Sequence, residues 1–73
     1  MSTHPLSEAE IAGIRAHLHE LQIEHRDLDQ VIMHLIENPP ADELLVRRIK
    51  KRKLLLKDRI LQLEQMLVPD IPA

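Results

Sequence analysis

Residues 35–46 read LIENPPADELLV and contain the break that decides the fold. Asn38 precedes a proline, which pushes its backbone out of the helical region, and a second proline follows at once. Asp42 is a residue type that caps a first helical turn, although Pro40 could also occupy that turn. Ser7 and Glu10 form a capping-box pattern at the start of the first long segment. The predicted segments are a flexible N-terminus at 1–6, a helix at 7–37, a turn at 38–41, a helix at 42–68 and a tail at 69–73.

Apolar residues recur in both long segments at alternating spacings of three and four, the pattern of helices that pack along one seam. All seam positions are Ile, Leu or Val except His25 and Lys53. A turn of about four residues makes the helices antiparallel. The sequence therefore predicts an all-α fold, an antiparallel two-helix hairpin of the coiled-coil type. The seam positions are 11, 14, 18, 21, 25, 28, 32 and 35, then 46, 49, 53, 56, 60, 63 and 67.

The register follows if Leu35 is placed opposite Val46 next to the turn. Leu28 then meets Lys53, and His25 meets Leu56. Lys53 can lay its aliphatic stem along the seam and extend its ammonium toward Asp29, so we predict a polar interruption of the seam formed by His25, Asp29 and Lys53. The same register predicts three flanking pairs of opposite charge: Asp29 with Lys50, Glu24 with Arg59, and Arg15 with Glu64.

Length and composition limit the class of protein. A chain of 73 residues with no cysteine and no aromatic residue has room for one domain, held by aliphatic packing without disulfides. The net charge is −2, no apolar run approaches the roughly 18 residues of a membrane span, and residues 1–7 lack the regions of a signal peptide. We expect a cytoplasmic protein that does not enter a membrane.

Two stretches, EHRDLD at 24–29 and IKKRKLLLKDRI at 49–60, resemble the YdcH-like family of small bacterial proteins. The resemblance covers roughly residues 18–63 and implies a bacterial origin and a helical hairpin. The family has no assigned activity, so the resemblance implies no catalytic residue, cofactor or substrate. The positions that match its motif are His25, Asp29, Lys53, Lys57 and Asp58.

His25 has two interpretations. An imidazole inside an apolar seam could make association depend on pH. It could instead be a structural histidine that hydrogen-bonds Asp29, four residues later on the same helix, or a group across the seam. A metal site is not expected, because His17 and His19 point to different sides of a helix and no two histidines are four residues apart.

Six basic residues fall within positions 47–53, a density that could neutralise several phosphates. Ile49 and Lys53 face the seam, however, and no aromatic side chain is present to stack on a base. A solvated helix face is therefore the preferred interpretation, with weak, nonspecific binding of nucleic acid or another polyanion as the alternative. The residues that would contact a polyanion are Arg47, Arg48, Lys51 and Arg52.

A second apolar stripe lies on the back of the second helix, where the hairpin seam cannot cover it. Leu54, Leu61 and Val68 form the stripe at seven-residue spacing, and Leu45, Leu55 and Met66 add apolar surface beside it. We predict that hairpins self-associate through these residues, as a four-helix dimer, or dock on a helical partner protein. The only hydroxyl side chains are near the start, and the carboxylates belong to flanks and caps, so the sequence predicts an interaction module rather than an enzyme, with no catalytic residue, no cofactor and no small-molecule substrate.

Overall fold

The computed structural model describes residues 6–68, which form helix α1, Glu8–Glu37, and helix α2, Glu43–Leu67. The two helices pack against each other as an all-α hairpin, as predicted. Within residues 6–68, neither helix has an apolar stretch long enough to cross a membrane. The N-terminal residues 1–5 and the predicted tail at 69–73 lie outside the described residues.

Side-chain and backbone caps fix the helix ends. At the start of α1, Ser7 Oγ accepts from the Glu10 amide and Glu10 Oε1 accepts from the Ser7 amide, both at 3.1 Å, so the predicted capping box is present. Asn38 ends the helix outside the helical region, and its amide donates to the carbonyl of His34. Asp42 Oδ1 then accepts from the Leu44 amide at 2.9 Å, which makes Asp42 the N-cap of α2.

Burial follows the predicted seam closely. All fifteen seam positions are buried or half-buried, and outside the seam only Leu6, Glu24, Asp29, Pro40 and Leu45 are less than fully exposed among residues 6–68. The four residues that are buried outright, at 3–8% exposure, are Leu21, Ile32, Leu56 and Leu63. A three-four spacing thus identified the packed face of each helix, since only that stripe can face a single partner helix.

A single pair of helices leaves much apolar surface in water. The hairpin measures 53 × 24 × 17 Å, about two helix diameters across, so each helix has a partner on one side only. Ten large hydrophobic side chains of the described residues are exposed. They are Ile23, Val31, Met33, Ile36, Leu44, Leu54, Leu55, Leu61, Met66 and Val68.

Candidate interaction surface

Two grooves run between the helices, one on each side of the seam, and they show which residues share a side. The first is lined by Gln22, His25, Arg26, Lys57, Ile60, Leu61 and Glu64. The second is lined by Leu6, Glu10, Gly13, Ile14, His17, Arg59, Leu63 and Met66.

Residues seven positions apart lie on the same side of a helix in a coiled coil. Each groove therefore belongs to a longer surface along one side of the seam, which we call a flank and name after a residue that lines its groove. The His25 flank comprises positions 15, 22, 29 and 36 of α1 and 50, 57 and 64 of α2. The Met66 flank comprises positions 10, 17, 24 and 31 of α1 and 45, 52, 59 and 66 of α2.

The six predicted interface residues do not form one surface. Leu61 lines the groove of the His25 flank, and Leu54 and Val68, each seven residues from it, border the same flank. Met66 lines the groove on the opposite side. Leu45 belongs to that Met66 flank, and Leu55, between Arg52 and Arg59 on the helix surface, borders it. The predicted stripe therefore corresponds to Leu54, Leu61 and Val68, with exposures of 65%, 48% and 62%.

Exposed apolar residues of α1, which were not among the predicted interface residues, lie beside the same surface. Met33 and Ile36 are both exposed, and Ile36 lies on the His25 flank, seven residues after Asp29. The sequence signal for them is that Met33 and Ile36 are apolar residues outside the seam positions of the first helix.

The predicted contact between Lys53 and Asp29 is present. Lys53 Nζ donates to Asp29 Oδ1 at 2.5 Å. This hydrogen bond and the positive charge of Lys53 lower the pKa of the Asp29 carboxyl below its ordinary value. The ion pair joins the two helices at the polar interruption of the seam, where a shift in register would separate its partners.

The three predicted flanking pairs are not the ion pairs found among residues 6–68. Asp29 is bound by Lys53 rather than Lys50. Glu24 accepts from Arg52 at 3.2 Å, while Arg59 donates to Gln62 one turn along its own helix. Opposite charge alone does not distinguish Arg52 from Arg59 as the partner of Glu24, because both arginines lie on the Met66 flank. A guanidinium also reaches more than one helical turn along the helix axis.

Arg15 and Glu64, the third predicted pair, take part in no ion pair within the described residues. Both lie on the His25 flank, and both are exposed. Their charges therefore remain available at the surface of this flank.

His25 sits in the seam as predicted, half-buried, and its ring lines the groove of the His25 flank. Its Nε2 is buried and has no hydrogen-bond partner in residues 6–68. This nitrogen forms neither of the hydrogen bonds expected for a structural histidine, to Asp29 or to a group across the seam, and Asp29 accepts from Lys53 instead. An unpaired buried nitrogen costs free energy that a partner group would recover.

The basic run divides into two halves. Arg48 binds Asp42 at 3.0 Å, Arg52 binds Glu24, and Lys53 binds Asp29. The other three members, Arg47, Lys50 and Lys51, are exposed and make no ion pair within the part of the chain that the structure describes. Half of the run is thus engaged by carboxylates of the hairpin.

Among residues 6–68, the one hydroxyl side chain belongs to Ser7. Ser7 is occupied by its cap, and Ser2 and Thr3 lie outside the described residues. Among residues 6–68, no three His, Asp or Glu side chains lie close enough to hold a metal ion.

The chain matches a known protein family over most of its length. The model of a family described as "Protein of unknown function (DUF465)" matches residues 18–64, and YdcH-like proteins belong to that family of small helical proteins. The resemblance seen in the sequence is therefore confirmed, over nearly the same residues. Neither the curated proteins nor the solved structures contain a significant match.

Proposed function

The chain belongs to DUF465, a family of small helical proteins of unknown function, and we propose that it is a non-enzymatic interaction module of the bacterial cytoplasm that self-associates through exposed apolar residues of α2. The module acts by presenting one face of a hairpin to a second copy. The resulting assembly is a dimer of hairpins, in which four helices surround a shared core.

The observation that carries this proposal is the imbalance between buried and exposed apolar side chains. Four residues are buried outright, whereas ten large hydrophobic side chains of residues 6–68 are exposed. A chain this short rarely obtains enough stability from one core, and small domains often gain the remainder by association. Exposed apolar residues clustered at heptad spacing are typical of surfaces that another protein covers.

The proposal is tested by the mass of the protein in solution. Leu61→Glu places a charge where Leu61 lines the groove of the His25 flank, and it should convert the dimer to single chains in sedimentation velocity. Gln65→Glu adds the same charge one turn further on, at an exposed residue of α2. This control should keep the mass of the wild type. An assembly that survives Leu61→Glu unchanged would refute the proposed surface.

Weak binding of a polyanion is a second candidate, favoured by the three basic residues of the run without an acidic partner among the described residues. Arg47→Glu with Lys51→Glu removes two of these charges without touching the ion pairs of Arg48, Arg52 or Lys53. A mobility shift of nucleic acid by the wild type at about 50 mM salt, lost in this variant while its mass in solution is unchanged, would support it. No shift at that salt concentration would exclude it.

A further inference from the structure

Lys53 is a cation in the apolar seam, and its own helix offers it no acidic partner. Ion pairs along a helix join residues three or four positions apart. The residues at these spacings from Lys53 are Ile49, Lys50, Leu56 and Lys57. The ammonium must therefore cross to α1 or leave the seam. In the structure it crosses and donates to Asp29, while 32% of the Lys53 side chain stays exposed.

The side of the seam on which Lys53 lies limits its choice of partner on α1. Seam residues of α2 alternate between the two grooves, since Ile60 lines the groove of the His25 flank and Leu63 lines that of the Met66 flank. Lys53, seven residues before Ile60, lies on the His25 side. The α1 positions of the His25 flank are Arg15, Gln22, Asp29 and Ile36. Of these four, only Asp29 is acidic.

The position of this acid distinguishes one register of the two helices from the others. In the predicted register, Asp29 is the residue of α1 that follows the one opposite Lys53, and the two side chains do meet. A shift of one heptad keeps seam residues opposite each other but puts Gln22 or Ile36 in this place, depending on its direction. A shift of two heptads puts Arg15 there, which adds a like charge. A half-buried ammonium without an acceptor costs free energy, so each of these registers is disfavoured.

Within one chain, the connection already fixes the register. Only residues 38–42 lie between α1 and α2, and a shift of one heptad, about 10 Å along the axis, would unwind a helix end beside them. The registers that Asp29 and Lys53 disfavour are therefore those between chains, in which α1 of one copy pairs with α2 of another. The polar interruption also includes an uncompensated cost, because His25 Nε2 is buried and has no hydrogen-bond partner among residues 6–68.

From these features we infer that Asp29 and Lys53 are specificity-determining residues: the pair selects one register of helix pairing and thereby limits which helices associate, at a cost in stability. Without the pair, helices of different copies pair in shifted registers and join chains into assemblies of mixed size. The inference goes beyond the self-association proposed above and does not require it, since its reference is the mass of the wild type, whether one chain or two.

Lys53→Leu tests the inference, because it makes the seam apolar at this layer without leaving a buried charge; half of the Asp29 side chain is exposed to water. A pair that only stabilises the hairpin predicts a lower thermal midpoint and an unchanged mass for this variant. The inference predicts a thermal midpoint at or above that of the wild type in circular dichroism. In sedimentation velocity, species of other masses should be about tenfold more abundant than in the wild type.

Two further variants separate the ion pair from the apolar character of the seam. His25→Leu is the matched control, since it makes the neighbouring layer apolar and leaves Asp29 and Lys53 in place. It should keep the mass of the wild type. Asp29→Lys combined with Lys53→Glu restores a pair of opposite charges and should give a single mass, whereas Asp29→Lys alone should not.

Cysteine cross-linking reads the register directly, because the chain has no cysteine of its own. Leu28→Cys combined with Val46→Cys, or with Ile60→Cys, gives thiols that face each other only after a shift of one heptad, in one direction or the other. In the hairpin these thiols lie about 10 Å apart along the axis, too far for a disulfide. Oxidation should join chains covalently when Lys53→Leu is added, and not when Lys53 is retained.

Several results would overturn the inference. Lys53→Leu with the single mass of the wild type, or with a lower thermal midpoint, would show that the pair only stabilises the hairpin. Mixed masses for His25→Leu as well would assign the effect to the apolar character of the seam. Cross-links between chains that retain Lys53 would show that the pair does not restrict the register. A wild type that remains a single chain refutes self-association but leaves all of these comparisons intact.

Discussion

Truncation of Leu56 to alanine should remove a large part of the stability of the hairpin. Leu56 is 3% exposed and packs in one cluster with Leu21 and Leu63. The change deletes three carbon atoms from a site that excludes water, which at about 0.8 kcal/mol per buried methylene costs roughly 2.5 kcal/mol. The cavity adds little, because side chains of a single layer of two helices can relax toward it, so we expect a loss of about 2.5–3 kcal/mol.

The assay is urea unfolding followed by circular dichroism, at one protein concentration throughout because association shifts the midpoint. Leu44→Ala is the matched control, since it makes the same chemical change on the same helix at a residue that is 56% exposed. It should cost about 1 kcal/mol or less. Equal losses for the two variants, or a loss below about 1 kcal/mol for Leu56→Ala, would refute the assignment of the seam as the core.

Three further predictions concern the stability of the hairpin: the effect of Gly13→Ala, the effect of Ser7→Ala, and the effect of Asp29→Asn in acid. Gly13→Ala should raise the free energy of unfolding by about 1 kcal/mol, since Gly13 lies within α1 and an added Cβ meets nothing within 4 Å; a thermal midpoint below that of the wild type would contradict this. Ser7→Ala should cost about 1 kcal/mol by leaving the first turn uncapped, and Ser7→Asp should recover it. Asp29 has a lowered pKa, so its contribution is present above the ordinary Asp pKa of about 4 and is lost as pH falls through the folded-state value. Asp29→Asn should therefore flatten the fall of the thermal midpoint in acid, whereas Asp27→Asn, exposed and without an ion pair among residues 6–68, should not.

The sequence predicted the hairpin because its signals are local. A cap is decided by one turn of chain, a proline break by two residues, and a seam by the repeat of apolar residues along one helix. Ser7 and Asp42 cap the two helices as predicted, and the fifteen seam positions are buried or half-buried as predicted. Even the contact between Lys53 and Asp29 followed from the seam, because a lysine in an apolar layer has only the nearest flank for its ammonium.

The flanking pairs were less predictable because long charged side chains choose among several partners at similar cost. Glu24 has Arg52 and Arg59 on the same flank, and in the structure Arg52 binds Glu24 while Arg59 donates to Gln62. The division of the exposed apolar residues of α2 between the two flanks was not predicted, for a different reason. Leu54 and Leu55 are adjacent in sequence, but neighbouring residues of a helix point about 100° apart, so they border opposite flanks.

Sedimentation velocity of the wild type over about 1–100 µM tests the central claim most directly. The account predicts that the chain of 8.5 kDa sediments as a dimer of twice that mass in the upper part of this range, and that helix content falls as the dimer dissociates on dilution. A fully helical species of 8.5 kDa at every concentration would contradict it, since the exposed stripe of α2 would then need no partner.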